Sequence, residues 1–153
     1  MPLLGDAVNE MGDNLPFVDL GPGETVSSIA LSNLTTCVIT NLNNLKCWGN
    51  NSSGQLGYEN TTRIGDNSGE MGASLQSVNL GAGKFATMVA VSDQSTCALL
   101  NDNKIKCWGA DQSGSLGSGQ MSYGDEPSET VATQVNVDFG TGRFVKSTFS
   151  GRN

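Results

Sequence analysis

The chain copies itself at a spacing of 60 residues. Cys37-Val-Ile-Thr-Asn-Leu-Asn-Asn-Leu-Lys-Cys-Trp-Gly49 returns as Cys97-Ala-Leu-Leu-Asn-Asp-Asn-Lys-Ile-Lys-Cys-Trp-Gly109. All four cysteines and both tryptophans of the chain lie in these two stretches. The register extends in both directions: Gly5, Asp6, Glu10, Met11 and Gly12 match Gly65, Asp66, Glu70, Met71 and Gly72, and Gly54, Leu56 and Gly57 match Gly114, Leu116 and Gly117. Gly124-Asp125 with Glu129 opens a third copy, and Val137-Asp-Phe-Gly-Thr-Gly142 answers Val18-Asp-Leu-Gly-Pro-Gly23 with one residue fewer. The organisation is therefore one array over 1–153, with repeats 5–64 and 65–123 and an incomplete repeat 124–153. Units repeated at such a period cannot bury an apolar face alone and form their core against neighbours.

Within a repeat the apolar runs are short and punctuated by Gly, Asn and Ser. Phe17–Leu20 and Val78–Leu80 precede Gly-x-Gly turns. Val26–Leu31, Phe85–Val91 and Phe144–Phe149 follow them. Thr36–Thr40 and Thr96–Leu100, then Leu45–Trp48 and Ile105–Trp108, complete the set. Short strands at regular spacing predict an all-β array without substantial helix. Four strands per repeat is the content of one propeller blade, so about two and a half four-stranded blades are expected. An array needs about three units for a continuous core. The expectation is a fragment of a longer array, or one whose open ends are covered by neighbouring subunits or further blades.

Charge and composition narrow the functions. The chain has 15 acidic against 8 basic residues, a net charge of −7. No stripe of Lys and Arg is available to neutralise phosphates, which argues against a nucleic-acid partner. There is no His, so a Ser-His-Asp triad and a His-ligated metal are excluded. The N-terminal segment lacks the basic and apolar regions of a signal peptide, and no run approaches a membrane-spanning length, so no membrane insertion is expected. The Gly-x-Gly pairs at 21/23, 81/83 and 140/142 stand between strands and read as turns, not dinucleotide loops. No Gly-x-Ser-x-Gly elbow precedes a helix. No cofactor is expected and no catalytic residue is assigned.

The pattern Cys, polar turn, Lys-Cys-Trp-Gly, four residues, Gly-x-Leu-Gly resembles the repeat of the regulator-of-chromosome-condensation family. It stands at Cys37–Gly57 and again at Cys97–Gly117. The resemblance implies a β-propeller of four-stranded blades, commonly seven, which at this period needs far more chain than is present. It also implies several functions: guanine-nucleotide exchange on a small GTPase in one branch, and protein-binding inhibitors and scaffolds in others. Fold alone does not choose among them.

Individual residues carry further expectations. Cys37 and Cys47 can face each other across a hairpin, as can Cys97 and Cys107. Disulfides are the favoured reading, ahead of buried thiols or a shared zinc. They would imply an oxidising compartment, either extracellular or an organelle lumen. The sequons at Asn33, Asn51 and Asn60, with an overlapping one at Asn50, fit that setting. The Gly-Asp-x-x-x-Glu segments offer too few ligands for calcium, and their Asp is expected to hold a turn, so no metal is assigned. Trp48 and Trp108 recur with each hairpin and are expected to pack between blades. Loops presented by a rigid scaffold are where recognition concentrates. Asn50, Asn51, Tyr58, Arg63, Asp111, Gln112, Met121 and Tyr123 are the candidate partner-contact residues.

The sequence thus points to a non-enzymatic protein-binding or structural scaffold module, one form of which is an accessory subunit of a larger assembly. The alternatives are a nucleotide-exchange regulator of a small GTPase and a fragment of a propeller lyase or hydrolase.

Overall fold

The structure is a computed structural model that describes residues 7–119 and 122–148. It is nearly all β, with two antiparallel sheets built from the two full repeats. The first contains β1 (Val26–Leu31), β2 (Thr35–Thr40) and β3 (Leu45–Gly49) in that order; the second contains β4 (Ala86–Val91), β5 (Ser95–Leu100), β6 (Ile105–Ala110) and β7 (Ser122–Tyr123). The two sheets share one plan. Cys37 faces Cys47 and Cys97 faces Cys107 in register, and each sheet carries an irregularity in its first strand, at Val26/Ser28 and Ala86/Met88. The hairpin turns close on Asn43 and Asn103, both at φ 63°. Asn tolerates this left-handed conformation better than most side chains do.

The fourth strand of a blade is not where the sequence suggests. Residues 17–20 and 78–80 form no strand, although the Val78 amide donates to the Leu45 carbonyl of β3 (2.8 Å). Their side chains work against one: Asp19, Asn79 and Asp138 each accept the amide two residues on, at Gly21, Gly81 and Gly140 (2.9, 3.1 and 2.8 Å). Such local bonds compete with a ladder. The fourth position is filled from the other side, by β7 against β6 and by the single bridge Gly49–Ile64 in the first sheet. Ile64 and Tyr123 are therefore equivalent, and the residue missing from the second repeat falls between Gly117 and Tyr123. Residues 144–148 of the expected strand Phe144–Phe149 form none, and Phe149 lies outside the described residues. In the first two repeats this segment is held by the strand after it; no described residue supplies that partner here, and a strand needs one. The only helical pieces among the described residues are the 3-10 turns Gly12–Asn14 and Gly72–Ser74, and no helix is long and apolar enough to cross a membrane.

The core lies between the sheets, not inside either one. Cys37, Ile39, Leu45, Cys47 and Leu56 of the first repeat pack with Val89, Val91, Ala98, Leu100 and Trp108 of the second. Because strand neighbours point to opposite faces, the Cys-Trp dipeptide serves two joints. Cys47 looks toward the next blade, and the indole of Trp108, next to Cys107, looks toward the previous one.

Candidate functional site

The joint between the blades is built from the Gly-x-Leu-Gly loop of one repeat and the Trp of the next. The backbone carbonyl of Gln55 accepts the indole N–H of Trp108 (3.0 Å) and the hydroxyl of Thr96 (2.8 Å). The Gln55 amide donates to the carbonyl of Asp93 (3.1 Å), and its own oxygen accepts the Ser53 amide (2.9 Å). Gln55 and Trp108 are both fully buried, so every polar atom of this joint needs the partner it has. Gly57 permits the approach: a Cβ there would sit 2.8 Å from the indole nitrogen, and its φ of 78° suits glycine. The loop is held from within by Asn51, whose Oδ1 accepts the Leu56 amide (2.9 Å) and whose Nδ2 donates to the carbonyls of Asn60 (2.7 Å) and Thr62 (3.1 Å). Asp111 takes the same place in the second repeat and accepts the Leu116 amide at 3.2 Å.

The same atoms recur on the outward face of the first blade. Thr36 and Trp48 stand where Thr96 and Trp108 stand in the second, and neither has a hydrogen-bonding side-chain partner among the described residues. Around them, Ile29 is 55% and Leu31 59% exposed, whereas the matching Val89 and Val91 are 9% and 1% exposed under the first blade. Leu34 and Val26 extend this apolar face. Nothing in the sequence singles out this face. The repeat alignment, laid on the structure, carries the signal: equivalent apolar residues are covered in one copy and open in the other.

The cysteine pairs stand as expected. In both hairpins the Sγ atoms are at bonding distance with Cα atoms 4.1 Å apart. Cys37 and Cys47 are fully buried beneath the second blade, while Cys97 is half-buried and, with Cys107, lines a cavity of about 530 Å³ beside Val137 and Val145.

Several proposed contact residues are structural instead. Tyr58 is half-buried; its hydroxyl accepts the Cys47 amide (3.1 Å) and lies within donating reach of the carbonyls of Cys47 (3.1 Å) and Gln76 (2.9 Å). It thereby replaces a fourth strand along β3. Burial pushes its pKa up to about 12, against the opposing pull of the Cys47 hydrogen bond. The phenol is neutral in the fold, so its contribution is complete below about pH 10 and is lost as pH rises from there toward about 12. Tyr58→Phe is expected to cost about 1–3 kcal/mol at neutral pH, and the stability gap between it and the parent should close over that alkaline window. Denaturant midpoints measured from pH 8 to 12 check this; a gap independent of pH would refute it. Tyr123 is buried on β7 with its hydroxyl on the Thr130 carbonyl (3.3 Å). Asn51 is fully buried with its amide committed, which corrects it both as a contact residue and as a glycan acceptor. The Asn60 amide is spent on the Tyr58 carbonyl (2.7 Å). Asn33 is exposed, though its Nδ2 bonds Asp93 (3.1 Å). Arg63 and Gln112 are exposed and Asn50 is half-buried; Met121 lies outside the described residues.

The Gly-Asp-x-x-x-Glu segments hold their linkers through the glutamate, not through the aspartate expected to make the turn. Glu70 accepts the amides of Gly65 (2.7 Å) and Asn67 (3.0 Å), and Glu129 those of Gly124 (3.0 Å) and Glu126 (3.3 Å). The Asn67 side chain and these amides keep the Glu70 carboxyl below its ordinary range. Among the described residues no group of three or more His, Cys, Asp or Glu is placed to hold a metal.

The family model described as the regulator of chromosome condensation (RCC1) repeat matches residues 26–55 and 88–115, which are the two hairpins with their loops. No curated protein matches the chain. Among solved structures, Prp20p of Saccharomyces cerevisiae, described with its binding to Gsp1p and histones, is similar at 15% identity and a TM-score of 0.55 over 79% of this chain and 27% of that one. Human WBSCR16 is similar at 16% identity and 0.51 over 74% and 26%. The chain thus spans about a quarter of the length of these structures. The likeness establishes the shared fold, blades of a β-propeller.

Proposed function

We propose that this chain, whose residues 26–55 and 88–115 match the regulator of chromosome condensation repeat, is a non-enzymatic protein-binding module whose contact surface is the outward face of its first blade. One observation carries the reading. Ile29, Leu31, Thr36 and Trp48 repeat the residues that seat the first blade on the second, yet Ile29 and Leu31 are exposed and Thr36 and Trp48 are only half-buried. Exposed contiguous apolar surface rimmed by polar atoms marks an interaction site. The occupant would be another protein surface that offers what Gln55 offers inside the chain: a loop with a backbone carbonyl aimed at an indole N–H. An accessory subunit docked on a larger assembly fits this arrangement, and the paired cysteines suit an oxidising compartment.

Without its partner the chain is expected to self-associate as concentration rises, because the open face and the unpaired edge beside it invite contact. Ile29→Asp with Leu31→Asp, both at exposed positions, should disperse the assemblies and leave the fold intact. Light scattering across a concentration series measures both. A parent chain that stays monomeric throughout would count against the proposal. Nucleotide release from a small GTPase is expected to be unchanged by the chain; clear acceleration would put exchange in place of this reading.

A further inference from the structure

One set of matched positions reverses its charge between the two blades. In the first, Glu24 lies 2.8 Å from the buried Nζ of Lys46, which also donates to the Leu20 carbonyl (2.5 Å), and Asn44 donates to the same carboxylate (3.2 Å). Burial opposes ionisation of Glu24, but hydrogen bonds from Lys46, Thr40 and Asn44 outweigh it and hold the carboxyl below its ordinary range. Leu75 covers this corner and is buried with Leu20 and Val38. In the second blade Glu24 is replaced by Lys84, Asn44 by Lys104 and Leu75 by Gln134, while Lys106 keeps the place of Lys46.

The consequence is a local reversal of charge. Lys84, Lys104 and Lys106 line one cavity of about 290 Å³ with Asp102, Gln134 and Asn136. Asp102 is the single carboxylate there, 2.7 Å from Lys84 and 3.9 Å from Lys104. Three of the chain's eight basic residues thus converge in a protein of net charge −7. Lys106 is buried and has turned to the carbonyls of Val131 (2.7 Å) and Ala132 (2.5 Å), with no carboxylate in contact. Gln134 is only 4% exposed, and neither its Nε2 nor its Oε1 has a partner; the Oδ1 of Asn136 also lacks one. A buried amide without partners costs free energy unless something meets it.

We propose that this cavity binds a carboxylate supplied from outside the blade, in the position that Glu24 holds in the first blade. Lys84 and Lys106 would give it charge-assisted bonds, and the Gln134 amide would donate a further one. The first blade is the internal precedent: the same fold corner carries a carboxylate against the same lysine. Where Glu24 is built in, the neighbour is an apolar Leu75; where the carboxylate is missing, the neighbour is a polar amide. Burial holds the Lys106 amine below its ordinary range, with the Asp102 charge opposing and the Lys84 and Lys104 charges assisting, and an incoming anion would relieve that.

The test is a titration of the whole chain with acetate and, separately, with a blocked glycine-glutamate-glycine peptide, against sodium chloride of matched ionic strength. The side-chain amide resonances of Gln134 are expected to move saturably, and the unfolding midpoint to rise by about 4 °C at ten times the dissociation constant. The tighter of the two probes identifies a free small acid or a protein side chain as the source. Lys84→Glu with Asp102→Leu rebuilds the first blade's arrangement and should abolish binding. Gln134→Leu, which places the first blade's residue in the same corner, should weaken it at least tenfold. A response equal to that of chloride, a tighter response to inorganic phosphate than to acetate, or unchanged affinity in the folded variants would overturn the proposal.

Discussion

Replacing Trp108 by alanine is expected to cost about 3–5 kcal/mol and to uncouple the two blades. The indole is fully buried and fills the wedge between the sheets, and its N–H is matched to the Gln55 carbonyl. Removal leaves a cavity and takes one of two donors from that carbonyl. A domain of this size holds about 5–15 kcal/mol in total, so the loss is a large part of its stability. Trp48→Ala is the internal control. Its indole is half-buried and bonds no described residue, so the cost should be about 1 kcal/mol. Chemical denaturation of the two variants beside the parent measures the difference. Equal costs would mean that the joint is not the centre of the fold.

The second large effect concerns the cysteine pairs. Each closes a short loop, and loss of either bridge is expected to cost about 2–3 kcal/mol. They should not be lost together. Cys37 and Cys47 are sealed beneath the second blade, whereas Cys97 and Cys107 line an open cavity. A mild thiol should therefore reduce Cys97–Cys107 in the folded chain and reach Cys37–Cys47 only on unfolding, since exchange requires access to the sulfur. Alkylation before and after reduction, read by peptide mass, reports the order. The intact mass without reductant should be low by about four hydrogens for two bridges. Equal labelling of all four cysteines in the folded state would contradict the burial argument, and the full thiol mass would contradict the bridges themselves.

The repeat and its blade plan were legible because they rest on local signals. Asn43 and Asn103 mark the turns, and residues ten apart across such a turn come into register, so Cys37 meets Cys47. The apolar pieces before the Gly-x-Gly turns read as strands but form none, because the competing bonds of Asp19 and Asn79 look the same in sequence as any polar residue in a strand. Tyr58 and Tyr123 read as loop contacts because they follow glycine-rich turns. Their hydroxyls are instead consumed by backbone groups of β3 and of the Thr130 turn. Asn51 offers a sequon to the eye, but its amide is the brace of the loop.

The amino-acid sequence by itself determined the period, the hairpins, the facing cysteines and the absence of His chemistry. These depend on spacing and residue type, which tertiary structure does not alter. Only the tertiary structure decided which copies of a repeated residue are covered. Ile29 and Val89, Trp48 and Trp108, and the corners around Lys46 and Lys106 are near-equivalents in sequence. They differ because burial belongs to the neighbour that packs against a residue: the first blade covers the second, and among the described residues nothing covers the first in the same way.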